Sequence, residues 1–243
     1  MSRSDGIVLC VIPARSGSRR VRDKNIRQLL GSPLLSYAIK SSRTAKTIDK
    51  VIVSTDSEVY AEIARRYGAE VPFLRPRELA DDVPTEHVIK HAVRWVEENW
   101  GVKVSIVATV QCTSPFVEPS DIDRCVQALM EDLEADSSMT VTEVREHPAW
   151  TFYVEGKYLK PFLKVETKEE WGVSQMLPKL FIPNGMCYAT RRDTLMLEGR
   201  IVGHRCVPVF VEKWRSVEID EEMDFAIAER IGIELLLKSM GVK

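Results

Sequence analysis

The chain lacks the paired glycines of the two common phosphate-binding loops. Gly17 stands alone after the first apolar run, so neither G-x-G-x-x-G nor G-x-x-x-x-G-K-[ST] occurs, which argues against a dinucleotide dehydrogenase and against a P-loop kinase. Its five cysteines (Cys10, Cys112, Cys125, Cys187 and Cys206) are odd in number and form no C-x-x-C pair. They read as buried free thiols rather than as zinc ligands or disulfides. Neither sign of charge dominates: 34 basic against 36 acidic residues leave a net charge of −2, no global reason to expect nucleic acid as a partner. No apolar run approaches bilayer length and no signal-type segment precedes Ile7, so a soluble cytoplasmic protein with no membrane partner is expected.

What is present is a cluster of cations at one place. The run Ile7-Val8-Leu9-Cys10-Val11-Ile12 looks like a buried strand, and Arg15, Arg19, Arg20, Arg22, Lys24 and Arg27 follow it, with Asp23 the one acid among them. Alone, such a stretch reads equally as a solvated basic loop. Its place after the first strand favours phosphate, because open α/β sheets bind ligands at strand carboxyl ends. Side-chain cations in place of a glycine nest suit a reaction in which negative charge grows on a leaving pyrophosphate.

At 243 residues, 44% of them hydrophobic, the chain suits one domain, 1–243. Strand patterns fall at 7–12, 50–55, 71–74, 104–110 and 138–144, and helical patterns at 33–43, 57–67, 85–99 and 119–133. This alternation predicts an α/β fold, a mostly parallel sheet with helices on both faces. Residues 145–181 break the period, with Trp150, Phe152 and Tyr153 ahead of a turn at Glu155-Gly156. They read as an inserted extended arm, either a subunit contact or a hydrophobic cluster folded onto the same chain. The pattern resumes at Phe181-Ile182 and Met186-Ala189. Short closing strands are expected at 205–211 and 215–219, and a last helix at 221–240.

Further polar signals sit at predicted strand ends. Asp56, in Ser54-Thr55-Asp56, is either a helix cap or a polar contact near a nucleotide. Gln111-Cys112-Thr113-Ser114-Pro115 is either a site floor, with Gln111 offering donor and acceptor, or a capped strand-to-helix turn. Glu218 and Asp220, two apart in a predicted strand, would face one side. They are either a surface charge and a helix cap or, beside a triphosphate loop, holders of a divalent cation. The polar loop Arg75-Thr85 is placed to wall a base pocket.

Taken in order, Ile12-Pro13-Ala14-Arg15-x-Gly17-Ser18-Arg19 with Lys24-Asn25-Ile26, Ser54-Thr55-Asp56, Arg75-Pro76-x-Glu78-Leu79-Ala80-x-Asp82, Gln111-x-Thr113-Ser114-Pro115, Leu177-Pro178-Lys179 with Asn184-Gly185, and Ile219-Asp220 with Asp224 resemble the CMP-sialic acid synthetases (acylneuraminate cytidylyltransferases). The 3-deoxy-manno-octulosonate cytidylyltransferases are a more distant likeness. The resemblance implies a Rossmann-like nucleotidyltransferase fold and a homodimer joined through the arm. It implies transfer of CMP from CTP to the anomeric hydroxyl of a 2-keto acid sugar, with Mg2+ and release of pyrophosphate. Carried over by position, Arg15, Arg19 and Lys24 act on the triphosphate, and Ala14, Ser16, Gly17, Asn25, Arg75 and Thr85 line the nucleotide site. Gln111, Thr113, Ser114 and Gln175 meet the acceptor sugar, and Asp220 with Glu218 holds the metal. The chain departs from the family pattern at Ser16-Gly17 (usually Gly-Gly), Phe116-Val117 (Leu-Arg), Ser174-Gln175 (Arg-Gln) and Glu218 (Asp). The rival readings are cytidylyl or uridylyl transfer to another sugar and a non-catalytic sugar-nucleotide-binding homologue.

Overall fold

The structure is a computed structural model that describes residues 6–80, 83–163 and 177–240. Its first strand, β1 (Ile7–Pro13), is buried along most of its length. Val8, Cys10 and Ile12 point into one hydrophobic cluster and Leu9 and Val11 into another on the opposite face, the two-residue alternation of a strand covered on both sides. A short hairpin follows, β2 (Gln28–Leu29) and β3 (Ser32–Pro33), then α1 (Leu34–Thr44), β4 (Lys50–Ser54), α2 (Glu58–Arg66), α3 (Thr85–Trp100), β5 (Val104–Val110), α4 (Pro119–Glu131) and β6 (Ser137–Glu143). Beyond these lie the two-stranded ribbon β7 (Phe152–Glu155) and β8 (Tyr158–Pro161), the long β9 (Phe181–Arg191), α5 (Arg192–Met196), β10 (Cys206–Phe210) and α6 (Glu222–Ser239).

The main sheet has the order β10-β6-β9-β5-β1-β4. β1 pairs in parallel with β4 and β5, and β10 with β6, while β9 runs antiparallel to both its neighbours. The mostly parallel α/β sheet is as the sequence implies, with β9 reversed within it. α1, α2 and α4 cover one face through Ile39, Tyr60, Ala64, Ile122 and Val126, and α3 covers the other through Ile89, Val93 and Val96. Because β4 and β5 flank β1 on opposite sides, their carboxyl ends open a crevice at a topological switch point.

Two expected strands are absent. At 71–74 only isolated bridges form, Ile52 with Glu70 and Thr55 with Leu74, since Pro72 in the middle has no N–H for a ladder. Residues 215–219 turn instead: Arg215 and Ser216 donate backbone N–H bonds to Glu212 and Lys213 at 3.1 and 3.2 Å. Glu218 and Asp220 therefore do not share a strand face. A small third core is built from Val21, Leu29, Leu34, Val217, Ile219, Phe225 and Ala228. It pins the basic loop and the acidic segment to the same base, although about two hundred residues separate them in sequence.

Candidate active site

The basic loop leaves β1 under tight control. The Asp56 carboxylate accepts the Ser16 backbone N–H at 2.8 Å and the Ser16 hydroxyl at 2.7 Å. Asp56 is thus not a helix cap; Ser57 holds that place, accepting from Tyr60. A few residues on, the buried Asn25 amide donates to the Arg15 carbonyl at 3.0 Å, and the Cys112 thiol donates to Asn25 Oδ1 at 3.1 Å and the Pro13 carbonyl at 3.4 Å. Burial pushes the Cys112 thiol up to about 12, so it stays a donor. Asp23, at the loop's turn, takes a left-handed φ of 52°, a conformation that aspartate tolerates better than most residues.

Where β1 and β5 end, a cavity of about 520 Å3 opens. Arg15, Arg19, Arg20, Lys24, Asn25, Arg75, Thr85, Gln111, Cys112, Thr113 and Asp220 are among the residues that line it. The basic loop and Asp220 thus share one cleft. α3 begins at its wall with Thr85 and has no side-chain cap among the described residues, so its amino end directs a partial positive charge that way. Arg75 is 6% exposed and bonds the Ser54 hydroxyl and carbonyl. Burial draws its guanidinium down to about 10, against the charge of Asp56.

On the far side, Lys24 Nζ donates to the Ile219 carbonyl at 2.6 Å and to Asp220 Oδ1 at 3.0 Å, while Arg20 sits 3.2 Å from Asp220 Oδ2. Burial works against ionisation of Asp220, but these cations outweigh it and hold its carboxyl below the usual range. The helix cap once open to Asp220 is filled by Glu221. Glu218 lies across the boundary, in a second cavity of about 320 Å3 with Thr142, Arg145, Asn184, Lys213 and Ser216. It accepts from the Thr113 hydroxyl at 3.4 Å, so Thr113 and Glu218 join the two cavities. Desolvation and then the charge of Asp220 raise its carboxyl above the usual range. Gly185 lies beside it with a left-handed φ of 73°, a backbone conformation that favours glycine.

Not every expected site residue reaches a cavity. Ala14 and Ser114 are fully buried, and the Ser114 hydroxyl has no partner; neither lines the cleft, so Ser114 is not placed to touch an acceptor. Ser16 faces Asp56, Gly17 lies on the outer loop, and Gln175 falls outside the described residues. Arg20 and Cys112 line the cavity without having been singled out as site residues. Arg20 was visible as part of the cation cluster, whereas the bond from Cys112 to a side chain 87 positions away had no local signal. The Ser16–Asp56 clamp carries a prediction. A hydrogen bond to a charged group contributes about 1.5–3 kcal/mol to stability, so Ser16→Ala, which keeps the backbone bond and loses the hydroxyl one, should lower the melting temperature measurably in a calorimetric scan.

A strand-end cavity walled by cations, with an acid at its rim, on a mostly parallel α/β sheet, is a site suited to a polyphosphate ligand. The fold matches the solved structure of a CMP:2-keto-3-deoxy-manno-octonic acid synthetase complexed with CTP, with a TM-score of 0.71 over 94% of this chain and 99% of that one at 15% identity. In sequence, the chain is 30% identical over 229 residues to the CMP-N,N'-diacetyllegionaminic acid synthase of Legionella pneumophila, covering 92% of this chain and 95% of that protein. It is 43% identical over 125 residues to the pseudaminic acid cytidylyltransferase of Campylobacter jejuni, 51% of this chain and 53% of that one. The cytidylyltransferase profile matches residues 9–152, and the chain belongs to the cytidylyltransferase family.

Proposed function

We propose that the protein transfers CMP from CTP to the anomeric hydroxyl of a nonulosonic acid and releases pyrophosphate. The observation that carries this reading is the convergence of Arg15, Arg19, Arg20, Lys24 and Asp220 on one cavity that adjoins a second across Thr113 and Glu218. The first takes CTP. Arg15, Arg19 and Lys24 neutralise the triphosphate, and the α3 amino end and Arg75 face the nucleoside side. The second suits a polyhydroxylated sugar acid, with Arg145 for its carboxylate and Glu146, Asn184 and Ser216 for hydroxyls, while Lys213 is paired with Glu143 at 3.2 Å. Gln111 and Thr113 stand where the acceptor meets the α-phosphate, and positioning supplies much of the rate.

Among the described residues no group of three or more His, Cys, Asp and Glu could hold a metal ion. The donors present do fit Mg2+ carried in on a triphosphate, since that ion takes one or two carboxylates and completes its shell with water and phosphate oxygens. Burial first, and then the charge of Asp220, raise the Glu218 carboxyl, and a cation would relieve the second of these. Asp220, with Glu218 beside it, would hold the ion, which when bound stabilises the charge of the departing pyrophosphate.

Incubation with CTP, Mg2+ and separate nonulosonic acids should yield a CMP-sugar by mass spectrometry, with UTP inactive and 3-deoxy-manno-octulosonate a poor acceptor. Nucleotide binding without product from any acceptor would favour the non-catalytic homologue.

The arm supports a homodimer. Every residue of β7 and β8 is exposed, and a lone two-stranded ribbon is marginal in water. Among the described residues Tyr153, Tyr158, Leu159 and Phe162 are exposed apolar surface, which a second copy would cover. Light scattering should return twice 27.6 kDa, and Leu159→Asp should return the single-chain mass. The free cysteines, four of them buried, and the need for CTP fit the reducing cytoplasm. No helix among the described residues is long and apolar enough to cross a membrane.

A further inference from the structure

The contact between Lys24 and the acidic segment has a chemical meaning beyond tethering. Its ammonium lies against two hard oxygens, the Ile219 carbonyl at 2.6 Å and Asp220 Oδ1 at 3.0 Å, and its side chain is 13% exposed. Arg20 covers the other Asp220 oxygen at 3.2 Å. We propose that Lys24 is a stand-in cation: without nucleotide it fills the oxygen cradle of Ile219 and Asp220 that a divalent ion needs, so that site opens only when a triphosphate draws Lys24 away. The inference rests on the reading of Asp220 as the metal holder.

Three features make the exchange feasible. The Lys24 backbone is fixed, because it opens the 3-10 turn Lys24–Ile26 whose next residue, Asn25, is buried and bonded to Arg15. Its side chain also lines the nucleotide cavity, so the flexible four-carbon stem can re-aim the charge without moving the loop. The electrostatics run one way. A carboxylate already matched by an ammonium and a guanidinium has little attraction left for a dication, which both cations repel. A triphosphate offers those cations more negative charge than Asp220 does and leaves the carboxylate uncovered. Metal and nucleotide then enter as a unit, and the free enzyme forms no tight binary complex with the metal.

The test needs no turnover. Mn2+ binding to nucleotide-free protein, read from the loss of the free-ion electron paramagnetic resonance signal, is compared in wild type, Lys24→Gln and Lys24→Gln/Asp220→Asn. The single variant should bind one Mn2+ about tenfold or more tighter than wild type, and the double variant should lose the gain. Arg20 is 65% exposed in its side chain, so Arg20→Gln leaves the fold undisturbed and should gain in the same direction by less. Equal Mn2+ affinity in wild type and both single variants, whether all bind or none does, overturns the proposal and leaves Lys24 a structural tether. Failure of the proposed function is read elsewhere, as the absence of any CMP-sugar, so the two failures are distinguishable.

Discussion

Asp220→Ala is expected to lower kcat by roughly 10²–10³, the range seen when one preorganised charge-stabilising group is removed from an active site. The fold should survive. Asp220 is partly exposed, and its neighbour Ile219 keeps both its place in the third core and its backbone bond to the Thr113 carbonyl at 2.8 Å. Lys24 retains the Ile219 carbonyl as a partner. The kinetic signature separates Asp220 from the loop cations. An acid that acts chiefly as charge moves to the leaving pyrophosphate lowers kcat and kcat/KM together. Arg15, on the cavity wall, faces triphosphate charge in the ground state as well, so Arg15→Ala should raise the CTP KM in addition to lowering kcat. Pyrophosphate release by the two purified variants, with circular dichroism to check the fold, decides the matter. Wild-type turnover by Asp220→Ala would remove its role.

Much of this arrangement was legible because its signals are local. The run from Ile7 to Ile12 announces a strand buried on both faces, and the cations that follow must emerge at its carboxyl end. Gln111 and Thr113 were placed by the same reasoning after β5. What could not be read is whatever depends on partners far along the chain. Asp56 has the local look of a helix cap, but its carboxylate closes on Ser16, 40 positions away. That bond also gives the Ser-for-Gly departure a physical sense: the Ser16 hydroxyl adds to the backbone bond a second one to Asp56 that glycine could not make. The reversed direction of β9 leaves no mark on its hydrophobic pattern, because a strand buried between two others reads alike either way. Glu218 and Asp220 looked like strand neighbours, yet 216–220 form no strand, and the two side chains line adjoining cavities. Ser114 failed for the opposite reason, being a polar residue in a polar stretch that packing nonetheless buries.

Arg215→Met is expected to be strongly destabilising. Arg215 is 5% exposed and grips the fully buried Asp121 with two bonds, at 2.7 and 3.0 Å, while its Nε donates to Glu212 at 2.9 Å. Its loss leaves the Asp121 charge in the interior with Arg124 as the remaining ionic partner, at 2.7 Å. Breaking one side of a buried pair typically costs about 3–5 kcal/mol, a large part of a domain's ordinary stability of about 5–15 kcal/mol. The dependence on pH identifies the cause. Burial would raise the Asp121 carboxyl, but Arg215, the Glu118 backbone and Arg124 together hold it below its ordinary value. A depressed carboxyl contributes stability above the unfolded aspartate pKa and loses it as pH falls through the folded one. The gap in melting temperature between wild type and Arg215→Met should therefore be widest near neutrality and shrink on acidification past the unfolded value of about 3.9. A gap that stays constant with pH would mean lost packing and not an orphaned charge. The double variant Asp121→Asn/Arg215→Met should recover part of the loss, since no bare carboxylate is left inside. Function should follow the same order. Arg215 ties the segment carrying Glu218 and Asp220 to the amino end of α4, which Asp121 itself helps to cap. A variant that recovers stability without this strut should still bind CTP through the basic loop, yet turn it over slowly.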